Sequence, residues 1–439
     1  MTTLQSLTIL MILFIQSFAF SQTNTLDKFS EKYDGLIEDK NTGIAILIKK
    51  ENQIQTVSLG NSRLTENSVF NIASATKTFT AILVLQELEK GNLKLTDSIG
   101  KFLNLIKNVP QSLTIENLLI HESGLDEVAG GNIEAIFYAQ NDSIYNSHLL
   151  GQVETYDKEN FGKFDYCNTN YFLLGRILET ITDRSYFDLL NERIIQPLGL
   201  KNTYPYVSKR IPNLATPYHN DKDVTSYLDY RFFTNIVNAA GSIASTLLDM
   251  EVFYTSLFET EILLKKETVE MMIQSGNETY GYGIFKSTYD NQNYYGHGGN
   301  NIGYAFRNGY NPKTKNLYLM FTNSERVPSE KLITNNLLAL LHDKEVDKLD
   351  AVDISTFKKY TGTYLLKEAN LTLKIIEEEN KLYLVVDSQG IKSALMQKND
   401  STLFDTTVGA MLSIIEGDHS SLTFQQNDFI TTISKVVLE

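Results

Sequence analysis

The stretch Ser74-Ala75-Thr76-Lys77 sets a hydroxyl and an amine three residues apart at the head of a strongly apolar run. On a helix that spacing puts both side chains on one face, within reach of each other. The run that follows, Thr78-Phe79-Thr80-Ala81-Ile82-Leu83-Val84-Leu85, is apolar on nearly every side, which is the pattern of a helix enclosed in a core. Lys77 in the first turn is then partly desolvated and lies near the positive end of the helix dipole. Both effects lower an amine's pKa, so Lys77 is a candidate proton acceptor for Ser74 acting as a nucleophile. Chance alone produces S-x-x-K often, and the pair gains weight only from what accompanies it.

Two further groups of residues accompany it. Tyr166-Cys167-Asn168 offers a phenol and an amide two positions apart, and Gly296-His297-Gly298-Gly299 sets a bare imidazole among glycines, after Tyr294-Tyr295 on an expected strand. Cys167 is the single cysteine, so no intrachain disulfide can form. It reads as a small buried spacer, with a nucleophilic thiol as the alternative. His121 is expected to brace the loop before Ser123-Gly124, and Asp165 to be a solvated or capping charge. His148, His219, His342 and His419 are scattered without metal-ligand spacing, so neither a metal site nor a cofactor is expected.

The elements that must position these groups can be read along the chain. Leu26, Phe29, Tyr33 and Ile37 recur at helical spacing. Residues 43–48 and 53–58 read as strands joined in a hairpin across Lys50-Glu51-Asn52, and the Ser74 helix follows, ending at Gly91. From about Thr96 to Tyr230 short helices alternate with polar loops, among them 171–182 and 185–195. Strand signals return at 241–244, 282–285, 304–307 and 317–321, and a helix from Ser329 to Leu341 closes the section. The expected fold is α/β of the α+β kind: an antiparallel sheet assembled from distant chain ends, flanked by helices, with an all-helical lobe beside it. Beyond the charged stretch 342–348 the pattern is nearly all strand, at 371–376, 382–386, 413–415 and 421–424, which predicts a small antiparallel barrel or sandwich.

A chain of 439 residues, 42% hydrophobic, is long enough for two or three domains. Its formal net charge of -14 argues against nucleic acid or anionic lipid as partner, which leaves a small molecule or a peptide. The apolar segment from Leu7, ending at Ala19-Phe20-Ser21 before Gln22, has the length of a secretory signal and is short for a membrane span, although no Lys or Arg precedes it. The expected organisation is a signal peptide over 1–21, a catalytic domain over 22–345 and a β domain over 346–439. The mature chain would start near Gln22 and lie outside the cytoplasm, with no stable membrane insertion after cleavage.

Taken in order, S-x-x-K at Ser74, Y-x-N at Tyr166 and H-x-G at His297 resemble the serine β-lactamase and penicillin-binding protein superfamily, in the branch of class C β-lactamases, D-alanyl-D-alanine carboxypeptidases and related esterases. The segments 118–125, 197–200, 240–245 and 280–283 share the resemblance, which runs from about Gly43 to Leu341. It implies that Ser74 attacks a carbonyl carbon to form an acyl-enzyme, with Lys77 and Tyr166 sharing the proton as a coupled pair. A usable phenolate would then need the positive charge of Lys77 nearby. Asn168 would hold Lys77 and the substrate, the backbone N–H groups of Ser74 and Asn300 would hold the oxyanion, and Gly298 and Gly299 would admit substrate backbone to the strand of His297. Where the lactamase form of the third motif has K-T-G, His297 is mostly neutral and Gly298 lacks a hydroxyl, so carboxylate recognition is weaker and ester or peptide hydrolysis ranks above β-lactam hydrolysis. The signal-like segment before Gln22 would place the mature chain in a bacterial periplasm or outside the cell. The C-terminal segment is loosely similar to lipocalin-like domains that follow such hydrolases. The competing reading is a catalytically inactive sensor or binding protein that keeps the fold.

Overall fold

The computed structural model describes residues 26, 29, 30, 33 and 41–436, apart from 61–63, 129–132, 140–152, 154–155, 230, 326–329, 347–348, 408 and 427–428. The apolar segment before Gln22, together with Ile37, His148 and Ser329, lies outside the described residues. Leu26, Phe29 and Tyr33 are helical and buried, as their spacing predicts.

Strands β1 (Gly43–Lys50) and β2 (Gln53–Gly60) form the expected hairpin. Glu51 and Asn52 both take positive φ, +51° and +62°, the backbone a two-residue turn needs to follow the strand twist. Strands β3 (Phe285–Tyr289), β4 (Gln292–Gly296), β5 (Gly299–Asn301), β6 (Tyr304–Tyr310) and β7 (Leu317–Thr322) complete one antiparallel sheet in the order β2-β1-β7-β6-β4-β3, with β5 also pairing β6. The join between the two halves of the sequence is the β1–β7 ladder, in which Ile44 faces Thr322. Successive side chains of a strand point to opposite faces, and in β1 both faces are covered. Ala45 and Leu47 enter the main core while Ile44, Ile46 and Ile48 pack on the other side with Leu332, Leu337 and Leu341, so the strand is apolar throughout rather than alternating.

Four helices matter for the site: α1 (Thr76–Glu89), α2 (Asn168–Thr182), α3 (Leu247–Glu259) and α4 (Glu330–Leu341). As its composition predicts, α1 is enclosed from Thr76 to Leu85. Phe79 stacks on Phe253 of α3 with ring centroids 3.9 Å apart. The hydroxyls on this enclosed helix are satisfied, with Thr78 donating to Gly283 O at 2.7 Å and Thr80 to Ala239 O at 2.6 Å.

Two expected strands fold otherwise. Residues 238–241 are helical, leaving a two-residue strand, Ala244–Ser245, that pairs with Phe70–Asn71. Residues 282–284 precede the strand that begins at Phe285. Gly283, at φ +68°, turns there against α1, where a Cβ would meet Ala81 Cβ at 2.7 Å and Lys77 O at 2.8 Å. Tyr282 and Ile284 are apolar because they enter the core from this turn.

The C-terminal segment is a closed antiparallel barrel of eight strands, β8 (Gly362–Leu366), β9 (Leu371–Glu378), β10 (Lys381–Val386), β11 (Ile391–Asn399), β12 (Thr402–Asp405), β13 (Met411–Ile415), β14 (Asp418–Gln426) and β15 (Phe429–Lys435). It fills its own core, with Leu373, Leu384, Leu395 and Phe424 among the inward residues. It meets the rest of the chain through Phe404 and Met411, which pack with Leu332 and Leu337 of α4.

Candidate active site

Ser74 lies in a single 3₁₀ turn, Ala73–Ala75, that leads directly into α1. The residue before it, Ala73, is buried with φ +49°, a conformation that costs a residue with a Cβ and that holds the serine at a sharp corner. One turn on, Lys77 is fully enclosed, with Nζ 3.1 Å from Ser74 Oγ, 2.7 Å from Asn168 Oδ1 and 2.9 Å from Ala240 O. Burial lowers its pKa to about 7, against an opposing pull from the Glu127 carboxylate. As an ammonium, Lys77 donates to all three oxygens. As a neutral amine it keeps two N–H groups, and the carbonyl oxygens of Asn168 and Ala240, which only accept, take both. The lone pair is then left to the Ser74 hydroxyl.

Tyr166 is hydrogen-bonded to Ser74, and Lys77 Nζ stands 5.0 Å from its ring centroid. Enclosure around its hydroxyl drives the phenol well above the usual tyrosine value. Burial is the largest influence on this phenol and disfavours its anion, so the protonated form is the favoured one near neutrality. Asn168 opens α2. Its backbone N–H and its Nδ2 both donate to Glu127 Oε1, each at 2.8 Å.

The third wall is the edge formed by β5. A Cβ on Gly299 would stand 2.4 Å from the Ser74 backbone nitrogen, so this strand reaches the nucleophile only as glycine. Arg307 Nη1 donates to Gly299 O at 3.0 Å and steadies the approach. A cleft of about 180 Å³ opens between these elements, lined by Ser74, Asn168, Phe172, Ala240, Asn300 and Asn301.

A model of the family described as Beta-lactamase matches residues 29–342. The chain belongs to the β-lactamase family. It is 26% identical over 404 residues to penicillin-binding protein 4* of Bacillus subtilis strain 168, covering 84% of this chain and 88% of that protein. It is 26% identical over 217 residues to the teichoic acid D-alanine hydrolase of Staphylococcus aureus, covering 49% of this chain and 52% of that one. Among solved structures, the octameric penicillin-binding protein homologue from Pyrococcus abyssi superimposes with a TM-score of 0.65 at 24% identity, over 94% of this chain and all (100%) of that one, which shows a shared fold. The serine β-lactamase and penicillin-binding protein superfamily thus accounts for the sheet, the helical lobe and the order of the motifs.

Within this β-lactamase fold the third motif departs from the expected geometry. His297 sits in the break between β4 and β5, where Asn308 replaces the ladder: its Oδ1 accepts from His297 N at 3.2 Å and its Nδ2 donates to His297 O at 2.9 Å. The imidazole is 1% exposed and packs against Phe285 and Tyr280, with ring centroids 4.9 and 5.7 Å away. It backs the aromatic wall instead of facing the cleft, because Tyr280 and the Gly298 carbonyl claim both its nitrogens. Burial lowers its pKa to about 3, so it is neutral in ordinary buffers. Gly298 keeps the strand close to β6, where a Cβ would meet Phe306 O at 3.1 Å.

His121 is the brace its position predicts. Its Nδ1 accepts from the Cys167 N–H at 3.1 Å and Asn170 Nδ2 at 3.2 Å, so Nε2–H donates to the Tyr280 hydroxyl at 3.2 Å. Tyr280 in turn donates to His297 Nε2 at 3.1 Å, and His297 Nδ1–H donates to Gly298 O at 2.6 Å. The Gly298 carbonyl can only accept and the Cys167 backbone N–H can only donate, which fixes both tautomers. Cys167 is buried, and enclosure pushes its thiol up to about 12, so it supplies no thiolate nucleophile. The residue that sequence reasoning missed is Glu127. It stands three positions beyond Gly124 in a loop without periodicity, and no motif marks it. Among the described residues, no three His, Cys, Asp or Glu side chains gather as a metal-binding group.

Proposed function

We propose that this chain hydrolyses an ester or peptide bond through an acyl-enzyme on Ser74. One observation carries the reading: Lys77 Nζ lies 3.1 Å from Ser74 Oγ while its other two partners are oxygens that can only accept. Neutral Lys77 takes the hydroxyl proton as Ser74 Oγ bonds to the carbonyl carbon. The resulting oxyanion is held by the backbone N–H groups of Ser74 and Asn300, a pair worth roughly 3 kcal/mol or more per donor in such sites. Tyr166, kept protonated by its surroundings, passes its proton to the leaving group and is reprotonated from Lys77 through Ser74's neighbourhood. Water then attacks the acyl carbon by the reverse use of the same groups.

The substrate class is an ester or amide of a small acyl group, with D-amino acid derivatives first in line. The similarity to a teichoic acid D-alanine hydrolase supports that choice. A β-lactam ranks lower because the position that would grip its carboxylate holds a buried, neutral imidazole beside a glycine. We also take residues 346–439 as a separate β domain, and the N-terminal apolar segment as an export signal that sends the enzyme to the periplasm or beyond.

Intact-mass measurement after a fluorophosphonate or penicillin tests the chemistry. One adduct per chain, absent in Ser74→Ala, is the expected result. No adduct with either probe, together with no ester turnover, would instead make this a binding protein that keeps the fold. Turnover of p-nitrophenyl esters and D-amino acid peptides should exceed that of a chromogenic cephalosporin, and the opposite order overturns the substrate assignment.

A further inference from the structure

The direction of the hydrogen bonds around Lys77 depends on which end of the Asn168 amide faces it. An amide can present oxygen or nitrogen in almost the same volume. With Oδ1 towards Lys77, as here, the amide takes one hydrogen from the amine. Turned over, Nδ2 would donate to the neutral amine and occupy the lone pair that Ser74 requires. Nothing in the amide itself chooses between the two. Glu127 does, because its Oε1 accepts from both Nδ2 and the backbone N–H of Asn168; burial raises the pKa of its carboxyl, while these two hydrogen bonds and the nearby Lys77 favour the ionised form, which has no hydrogen to offer in exchange.

The carboxylate is well held for that task. Its loop is tied to α2 by Val128 N–H donating to Thr169 Oγ1 at 3.1 Å and Thr169 Oγ1 donating to Asp126 O at 2.7 Å. It stands at the N-terminus of α2, where Cys167 gives no side-chain cap and the helix dipole favours negative charge. Glu127 Oε2 is enclosed and has no hydrogen-bond partner among the described residues, so the hydrogen bonding of this group is directed to Asn168.

We propose that Glu127 is a positioning residue: it fixes the orientation of Asn168 and thereby keeps the lone pair of Lys77 turned towards Ser74. With Ser74 as nucleophile and Lys77 as its base, on which this inference rests, Glu127 acts without a hydrogen bond to either. Its charge has a second, separable effect, since it raises the proton affinity of Lys77. The other titratable groups around the amine are Cys167, Tyr166, Tyr171, His121 and His297, all uncharged near neutrality because burial favours their neutral forms. Asp165 is the further carboxylate that acts on Glu127.

Hydrolysis of a p-nitrophenyl ester by the full chain across roughly pH 5 to 9 tests this with Glu127→Gln, Asn168→Ala and the double variant. Glutamine keeps the bulk but can face Asn168 with either an oxygen or an amino group. Glu127→Gln is expected to lower kcat about tenfold or more with KM little changed, and to move the acid limb of the profile to lower pH. In the Asn168→Ala background Glu127→Gln should cost nothing further in kcat, because the amide it orients is gone. A kcat within about twofold of wild type with an unmoved acid limb overturns the proposal, as does an undiminished loss in the Asn168→Ala background. If Glu127→Gln melts early, Glu127→Asp replaces it: the charge stays, the reach shortens, kcat should fall with the acid limb in place, and an unchanged kcat is again the overturning result. Ser74→Ala separates the two levels. If it still turns over the ester, the nucleophile assignment has failed, whereas an inactive Ser74→Ala beside a fully active Glu127→Gln sinks the positioning role alone.

Discussion

Lys77 titrates close to neutrality because it is enclosed, and its neutral form is the one that can accept a proton. A group that must be deprotonated loses activity as pH falls through its pKa. The kcat/KM for a p-nitrophenyl ester should therefore drop about tenfold per pH unit below about 7, and a profile flat down to roughly pH 5 would contradict the role of Lys77 as base. Cys167→Ser should leave that activity close to wild type, since the thiol is protonated and buried, and a dead variant would revive the cysteine alternative. At this scale the sequence was legible where side-chain type and spacing decide the geometry: the i, i+3 relation of Ser74 and Lys77 follows from helical spacing alone. Glu127 was illegible because its place depends on how a loop approaches the start of α2. His297 was half legible. Its type could be read, but the direction of its ring is set by Tyr280, 17 positions away.

The catalytic elements meet by close backbone approach. Because β5 lies against the turn that carries Ser74, Gly299→Ala would drive a methyl group to 2.4 Å from the Ser74 nitrogen, and one backbone would have to retreat. The oxyanion donors then separate, and kcat should fall by roughly 10²–10³-fold with KM less affected. Steady-state kinetics with an ester, together with the rate of fluorophosphonate labelling, would show this; unchanged labelling would mean that the strand is not part of the hole. The enclosed helix α1 and the β1–β2 hairpin were readable in advance because their apolar patterns are long and unambiguous. The misread segments, 241–244 and 282–285, are short apolar runs, which a buried turn uses as readily as a strand does.

On the scale of the whole molecule, the barrel joins the rest of the chain in a shared apolar cluster. Phe404 of β12 is buried in the apolar cluster that holds Leu332 and Leu337 of α4, and Phe404→Ala should destabilise the chain by about 3 kcal/mol. Urea unfolding measures the loss, while the labelling of Ser74 under native conditions should remain complete; a labelling defect would tie the barrel to catalysis. The barrel was legible as a class, but β8, β11, β12 and β15 escaped notice. Strand β11 mixes Lys392, Ser393 and Gln397 with apolar residues, so its alternation shows in inward and outward burial more clearly than in composition.

The ladder between Ile44 and Thr322 also governs the order in which the molecule can be made. A ribosome delivers the hairpin early, yet its inner neighbour emerges only after the helical lobe and the remaining sheet strands. Until then the growing polypeptide carries a hydrophobic ribbon with a vacant side, open to chaperones or to mispairing. Closure of the sheet and assembly of the Ser74 corner against β5 both need residues from distant parts of the sequence, so a chain cut short before β5 would lack the wall that faces the nucleophile.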